Sequence, residues 1–242
     1  MERTARKPSK GKKKPATPQS AMYQVRRILR RGALLIAVFV VLVILGLRFI
    51  PIPTTPYIWS EAQRLDTVDF TWSPLNDTGP YSARSVVAAE DADFCLHWGF
   101  DMNAIRSAID GGGTRGASTI SQQVVKNVFL WQDRSWLRKA LEAVLTPIVE
   151  VAWGKRRILE IYLNVAEFDE GVFGIEAAAV HYFGRNARDL TSYQSAKLAA
   201  ILPNPKARSA NDPSPFVMKR ANSIQDGAAT ILLDGRSKCF ED

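Results

Sequence analysis

Histidine and cysteine are scarce in this 242-residue chain, which has only His97, His181, Cys95 and Cys239. Two imidazoles without ligand spacing exclude a typical zinc site, so no metal is assigned. His97, close to Asp93 and Asp101, reads as a structural histidine at a helix end. Two cysteines are too few for a disulfide framework, and buried free thiols are the expectation. Strand-length alternation of apolar and polar residues is absent after Arg84, which argues against a β-rich domain. Charge is absent from Gly32 to Leu47, a run almost wholly of Ala, Val, Leu, Ile and Phe.

Acidic residues are nearly missing from the N-terminal end. The first thirty-one residues hold eleven Lys or Arg and one acid, Glu2; without these and Arg48 the formal charge of +8 becomes −3. The basic balance therefore belongs to a tail, and no nucleic-acid partner is expected. Residues 1–31 are read as a basic tail, disordered to about Ser20, and residues 32–50 as a transmembrane anchor. Sixteen uncharged residues span about 24 Å of helix, short of a ~30 Å hydrocarbon core. Arg48 can snorkel, and Phe49-Ile50 lengthen the span. A cleaved signal peptide would be followed by small residues rather than Pro51-Ile52-Pro53-Thr54-Thr55-Pro56, and a core helix would not follow eleven cations. The positive-inside rule leaves the tail in the cytoplasm. Everything after the anchor then lies outside, in the periplasm of a cell with two membranes. Residues 51–80 form a juxtamembrane segment in which Tyr57 and Trp59 are placed at headgroup level, and residues 81–242 form the main domain.

From Arg84 the pattern is helical, with 3.6-residue spacing and Ala-rich runs. Glu90, Asp91 and Asp93 follow directly on the apolar Val86 to Ala89. A carboxylate carried to the rim of a core has its pKa raised and becomes a usable general base. Four glycines between Gly111 and Gly116 mark a mobile loop. Ser118 or Thr119 is a natural N-cap, and Thr119 with Gln122 makes a capping box, with Ile120, Val124, Val128 and Trp131 on one helix face and Thr119, Gln122, Gln123 and Lys126 on the other. A helix N-terminus with hydroxyls and a lysine suits an anion. Ser135 caps the next helix, where Arg138 and Glu142 share a face and Pro147 marks a kink. Lys155 to Asn164 is again amphipathic. Thr191 caps a last long helix ended by Pro203 and Pro205, and nothing is read from the polar segment after Ser209.

Taken in order, EDADFCLHWGFD, GASTISQQVVKN, RKALE, RRILEIYLN with AEFDEGVFGIEAAAVHYFG, and LTSYQSAKLAAILPNP resemble the motif series of the family 51 glycosyltransferases, from about Ser85 to Pro205. No penicillin-binding module is expected after them, so the resemblance is to the monofunctional subgroup of Gram-negative bacteria. It implies a mainly α, lysozyme-like helical domain with a smaller membrane-proximal jaw lobe, preceded by one transmembrane helix. It also implies polymerisation of lipid II into β-1,4 glycan strands at the inner membrane, with inversion and release of undecaprenyl diphosphate. The partners implied are lipid II, the growing glycan strand and other cell-wall synthesis or division proteins. Carried over motif by motif, Glu90 is the general base and Glu142 the second carboxylate, on the donor's diphosphate side. Ser118, Thr119, Gln122, Gln123, Lys126 and Arg138 are the substrate-binding residues. No cofactor is required, although a divalent ion (Mg or Mn) at the diphosphate is compatible with the family. Leu141 stands where some relatives carry a lysine, which lowers the count of cations there. Two other readings fit parts of the sequence: a membrane-tethered hydrolase or lytic transglycosylase, and a non-catalytic cell-wall scaffold.

Overall fold

The computed structural model describes residues 18–112 and 116–241. Most of the basic tail and the centre of the glycine loop lie outside the described residues. The chain divides into two compact units between Val43 and Ile44. The first is the exposed length of helix α1 (Pro18–Leu47), and Met22–Leu47 is long and apolar enough to cross a membrane. The helix starts before the uncharged run because Met22, Gln24, Arg26 and Leu29 are good helix formers. It stops at Leu47, so Phe49 and Ile50 do not lengthen it as expected.

The second unit is mainly α, with eight further helices among the described residues: α2 (Pro56–Leu65), α3 (Gly79–Glu90), α4 (Met102–Asp110), α5 (Ile120–Phe129), α6 (Trp136–Val165), α7 (Ile175–Phe183), α8 (Ser192–Ile201) and α9 (Pro215–Leu233). Strands β1 (Asp69–Phe70), β2 (Glu167–Asp169) and β3 (Val172–Phe173) make a small sheet in the order β1-β3-β2, parallel then antiparallel. Strands of two or three residues leave no alternation in a sequence. The core is built by α3 against α8 and α9, and by α5 against α6. Val86, Val87, Phe94, Ile120, Val124, Ile158 and Leu159 are fully enclosed in it.

Local signals explain most helix starts. Thr119 and Thr191 each close a capping box, with Gln122 and Gln194 respectively, and Ser135 accepts from the Arg138 amide. The break in α6 falls at Gly154 (φ 71°, ψ 167°), not at Pro147. Proline removes only the donor to the Ala143 carbonyl, and Ala143 is exposed, so the helix passes through. Gly154 instead adopts a left-handed φ that other residues resist. Beside the break, Arg48 Nη1 donates to the Ala152 carbonyl at 2.5 Å.

Two other expectations are corrected. The helix after Thr191 is not the last, since α9 follows Ser209 and buries Val217, Ala221, Ile224 and Ile231. Cys95 and Cys239 are not free thiols but form a disulfide across 144 residues. Tyr57 is tied into the fold: its hydroxyl bonds Glu167 and its ring meets Phe173 edge-on at 5.4 Å. Trp59 does remain 61% exposed.

Candidate active site

Glu90 is the last residue of α3, and the chain leaves the helix at Asp91 in an extended conformation (φ −162°). The carboxylate is therefore delivered by a helix that is itself clamped between α8 and α9. Gln123 on α5 donates from Nε2 to Glu90 Oε2 at 3.2 Å, and the Tyr162 hydroxyl of α6 donates to Gln123 Oε1 at 3.3 Å. Arg220 Nη2 on α9 lies 3.5 Å from Glu90 Oε1 and donates to the Ala89 carbonyl at 3.2 Å. Glu90 Oε1 is buried with no hydrogen-bond donor. Burial pushes the carboxyl above the ordinary glutamate range, against the opposing pull of Gln123 and Arg220. Such a carboxylate is a stronger base than an exposed one.

Asp91 turns the other way and is structural. Its Oδ2 accepts from the Ile120 amide at 3.0 Å, and its Oδ1 faces His97 Nε2 at 2.8 Å. The Gly99 amide donates to His97 Nδ1, so Nε2 carries the proton toward Asp91. His97 is the structural histidine the sequence suggested. The N-terminus of α5 is not an open anion site, because Asp91 already occupies it and the Thr119 and Gln122 side chains close the cap. Thr119 Oγ1 also donates to the Gly99 carbonyl at 2.7 Å. These two predicted binding residues are thus engaged in holding the helix.

A second cluster surrounds Glu142, which is 3% exposed. It accepts from Arg138 Nη1 at 3.2 Å and from Lys139 Nζ, which also donates to Ser118 Oγ at 3.4 Å. Arg138 is oriented by a bond from Nε to the Asp133 carbonyl at 2.8 Å. Lys126, on α5, joins the two clusters. Burial, then Arg138 and Lys139, push its ammonium below the usual lysine range, while Glu142 and Glu90 both pull it back up. The structure therefore brings Glu90, Gln123, Lys126, Arg138, Ser118 and Glu142 to one region. A cavity of about 240 Å³ opens beside Glu90, Asp101, Ala104 and Ser118. A larger one of about 490 Å³ lies by the N-terminal half of α3, where Arg84 and Arg188 are paired with Glu241 and Asp77. It is remote from this chemistry.

Residues 60–229 match the family described as Transglycosylase. The chain belongs to the transglycosylase family. It is 53% identical over 236 residues to the biosynthetic peptidoglycan transglycosylase of Jannaschia sp. (strain CCS1), covering 98% of this chain and 99% of that one. The proteins of the same name from Rhodospirillum centenum (strain ATCC 51521 / SW) and Caulobacter vibrioides (strain ATCC 19089 / CIP 103742 / CB 15) are 42% and 45% identical, covering 91% and 89% of this chain and 99% and 97% of theirs.

Two residues that contact Glu142 and Glu90 were not read from the sequence. Lys139 lies three residues before Glu142, a spacing that pairs on a helix as well as four does. Arg220 comes from the segment after Ser209, where Ser214, Pro215 and apolar Val217, Ala221 and Ile224 are the start and stripe of a helix.

Proposed function

We propose that the chain is a peptidoglycan glycosyltransferase that polymerises lipid II by inverting displacement. One observation carries this reading: the half-buried Lys126 ammonium feels both the Glu90 carboxylate, held by Gln123, and the Glu142 carboxylate, held by Arg138 and Lys139. In its ionised form Glu90 takes the proton from the acceptor's sugar 4-hydroxyl. The hydroxyl oxygen then forms its bond to C1 of the donor while the bond from C1 to the diphosphate breaks. Attack from the face opposite the leaving group turns an α-linked donor into a β-linked product. Gln123 holds the base, and Tyr162 holds Gln123.

The leaving group needs charge rather than a proton. Lys126, Arg138 and Lys139 against one Glu142 leave a formal excess of two positive charges, the charge of a diphosphate diester with opposite sign. Fixed cations in a site of low dielectric stabilise developing charge without reorganising. Ser118 adds a hydroxyl at the same edge, while Thr119 and Gln122 keep the α5 terminus in place. A divalent ion fits this donor set poorly. Glu142 is its one carboxylate, and both its oxygens already accept from cations.

We assign α1 as a single-pass anchor with residues 1–31 in the cytoplasm and the domain outside the inner membrane. The uncharged run, the exposed Arg26, Arg27, Arg30 and Arg31, and a disulfide, which persists in oxidising compartments, support that assignment. Leu137, Leu141, Val144, Ile148 and Val151 form an exposed helical stripe on α6 suited to contact with lipid. The decisive experiment incubates the purified full chain with lipid II and, separately, with finished sacculi. Polymer from lipid II is expected. Soluble muropeptides from sacculi without polymer would establish a hydrolase instead.

A further inference from the structure

The residues after α9 are fastened to both sides of the segment that carries Glu90. Upstream, Glu241 Oε1 pairs with Arg84 Nε of α3 at 2.8 Å. Downstream, Arg236 Nη1 donates to the Ala92 carbonyl at 3.0 Å and to Asp93 Oδ1 at 3.2 Å, two and three residues beyond Glu90. Two residues further on, Cys95 is joined to Cys239. Phe240 is buried against Phe94 with ring centroids 6.4 Å apart, and Arg156 Nη1 donates to the Phe240 carbonyl at 2.6 Å. Residues 234–241 therefore form a strap, and its one covalent fastening is the disulfide.

The strap supplies part of this turn's support, beside the bonds from the Phe94 amide to the Asp91 carbonyl and from the Leu96 amide to the Asp93 carbonyl, and the Lys155 ammonium over the Phe94 ring. Asp91 bonds His97 and the α5 terminus, and Phe94 fills the core, but the carbonyl of Ala92 and the side chain of Asp93 are met by Arg236. Residues 92–96 lead directly out of the C-terminal end of α3, where no further helical turn follows Glu90.

We propose that the strap is a positioning element for Glu90, and that the Cys95–Cys239 disulfide makes full transferase rate conditional on an oxidising compartment. This rests on Glu90 as the general base. Reduction by a dithiol breaks the Sγ–Sγ bond. Two electrons and two protons pass to the two cysteines, which become thiols, and the dithiol becomes a disulfide. The strap is then held without a covalent link, by the ion pairs of Arg236 and Glu241, the burial of Phe240 and the bond from Arg156 to the Phe240 carbonyl.

The test compares the wild-type full chain, the double variant Cys95→Ser/Cys239→Ser, and Arg236→Ala and Arg236→Lys with the disulfide intact. Initial rates of lipid II polymerisation are measured over a range of lipid II concentrations and pH. A misplaced base lowers kcat rather than substrate binding, so kcat falls about tenfold in the double variant with KM within about twofold. The acid limb of kcat moves to lower pH, because a looser carboxylate regains water. The groups facing Glu90, namely Asp91, Lys126, Tyr162, Arg208 and Arg220, are unchanged in every variant. Dithiothreitol produces the same fall in the wild type, reversed on reoxidation, and has no effect on the double variant. Arg236→Ala lowers kcat and Arg236→Lys restores most of it.

A double variant with a lower melting temperature but unchanged kcat and acid limb would make the strap a structural brace only, and would overturn the proposal. Equal sensitivity of wild type and double variant to dithiothreitol would do the same. If the double variant does not fold, Arg236→Ala decides, and an unchanged kcat there refutes the positioning role. A folded wild type that makes no polymer would instead remove the transferase reading itself.

Discussion

Glu90→Gln should separate catalysis from stability in opposite directions. The amide keeps the shape of the side chain and the bond from Gln123, but it cannot take a proton. Loss of a positioned general base costs about 10²–10⁴ in rate, or roughly 3–5 kcal/mol of barrier. The same change removes a charge that is 14% exposed, with one oxygen lacking a donor and Arg220 held at 3.5 Å. Burial outweighs Gln123 and Arg220 in setting the Glu90 pKa, so the fold prefers the neutral form. A raised carboxyl pKa contributes stability below the unfolded value of ~4.3 and loses it as pH rises through the folded value. The variant should therefore be more stable near neutrality by on the order of 1 kcal/mol, about 2–4 °C in Tm for a domain of this size. The difference should vanish toward pH 4. Polymer from lipid II and melting curves at pH 4 and 7.5 test both halves. Residual activity above about a tenth of wild type, or a lower Tm at neutral pH, would refute the assignment of Glu90 as a buried base.

Glu142→Gln should behave oppositely, because it leaves Arg138 and Lys139 without their counter-charge. Breaking a buried pair costs about 3–5 kcal/mol. Since Lys139 is 44% exposed, a loss of about 1–3 kcal/mol in a urea melt is expected, together with loss of polymerisation. Lys126→Ala should raise the KM for lipid II at least about tenfold, as one charge-assisted contact is worth about 1.5–3 kcal/mol; unchanged donor affinity would remove it from the diphosphate site. Arg220→Ala takes away a cation that holds the Glu90 pKa down, so the acid limb of kcat should move to higher pH, and a fixed limb would show that Arg220 acts elsewhere. Gly154→Ala meets no atom within 4 Å but must hold φ 71° with ψ 167°, a region open essentially to glycine alone, so it should cost about 1–3 kcal/mol from the backbone. An unchanged unfolding midpoint would mean that the break in α6 relaxes.

What could be read from the sequence was local. Thr119, Ser135 and Thr191 announced their helices because a cap depends on residues three apart, and each forms the bond expected of it. Arg138 and Glu142 met for the same reason. The role of Asp91 was hidden, because its partner is an amide twenty-nine residues away on another helix. The α5 terminus looked like an anion site and is one, but the anion is the protein's own. Pro147 misled because the carbonyl it leaves unpaired and crowds, that of Ala143, is on the exposed side of the helix and can turn to solvent, whereas the glycine seven residues on changes the backbone itself. The Cys95–Cys239 link spans most of the domain, and no spacing rule reaches that far. Arg220 was missed with the helix that carries it, because a polar stretch concealed apolar positions spaced at four and three.

The choice between synthesis and cleavage of glycan turns on what faces Glu90. A hydrolase or lytic enzyme can run on one raised-pKa carboxyl that first protonates the leaving oxygen and then acts as base. Such a reaction gives Lys126, Arg138 and Lys139 nothing to do. Lys126 in particular is costly, since burial disfavours its charged form and Arg138 beside it adds to that cost. Glu142 does not supply the missing acid, as both its oxygens are taken up as acceptors by Arg138 and Lys139. A diphosphate resolves each of these points at once. It leaves without a proton, it carries the two negative charges that the cluster lacks, and it repays the burial of Lys126 only when donor is bound. The effect of Lys126→Ala should accordingly appear with lipid II and be absent with any uncharged glycan.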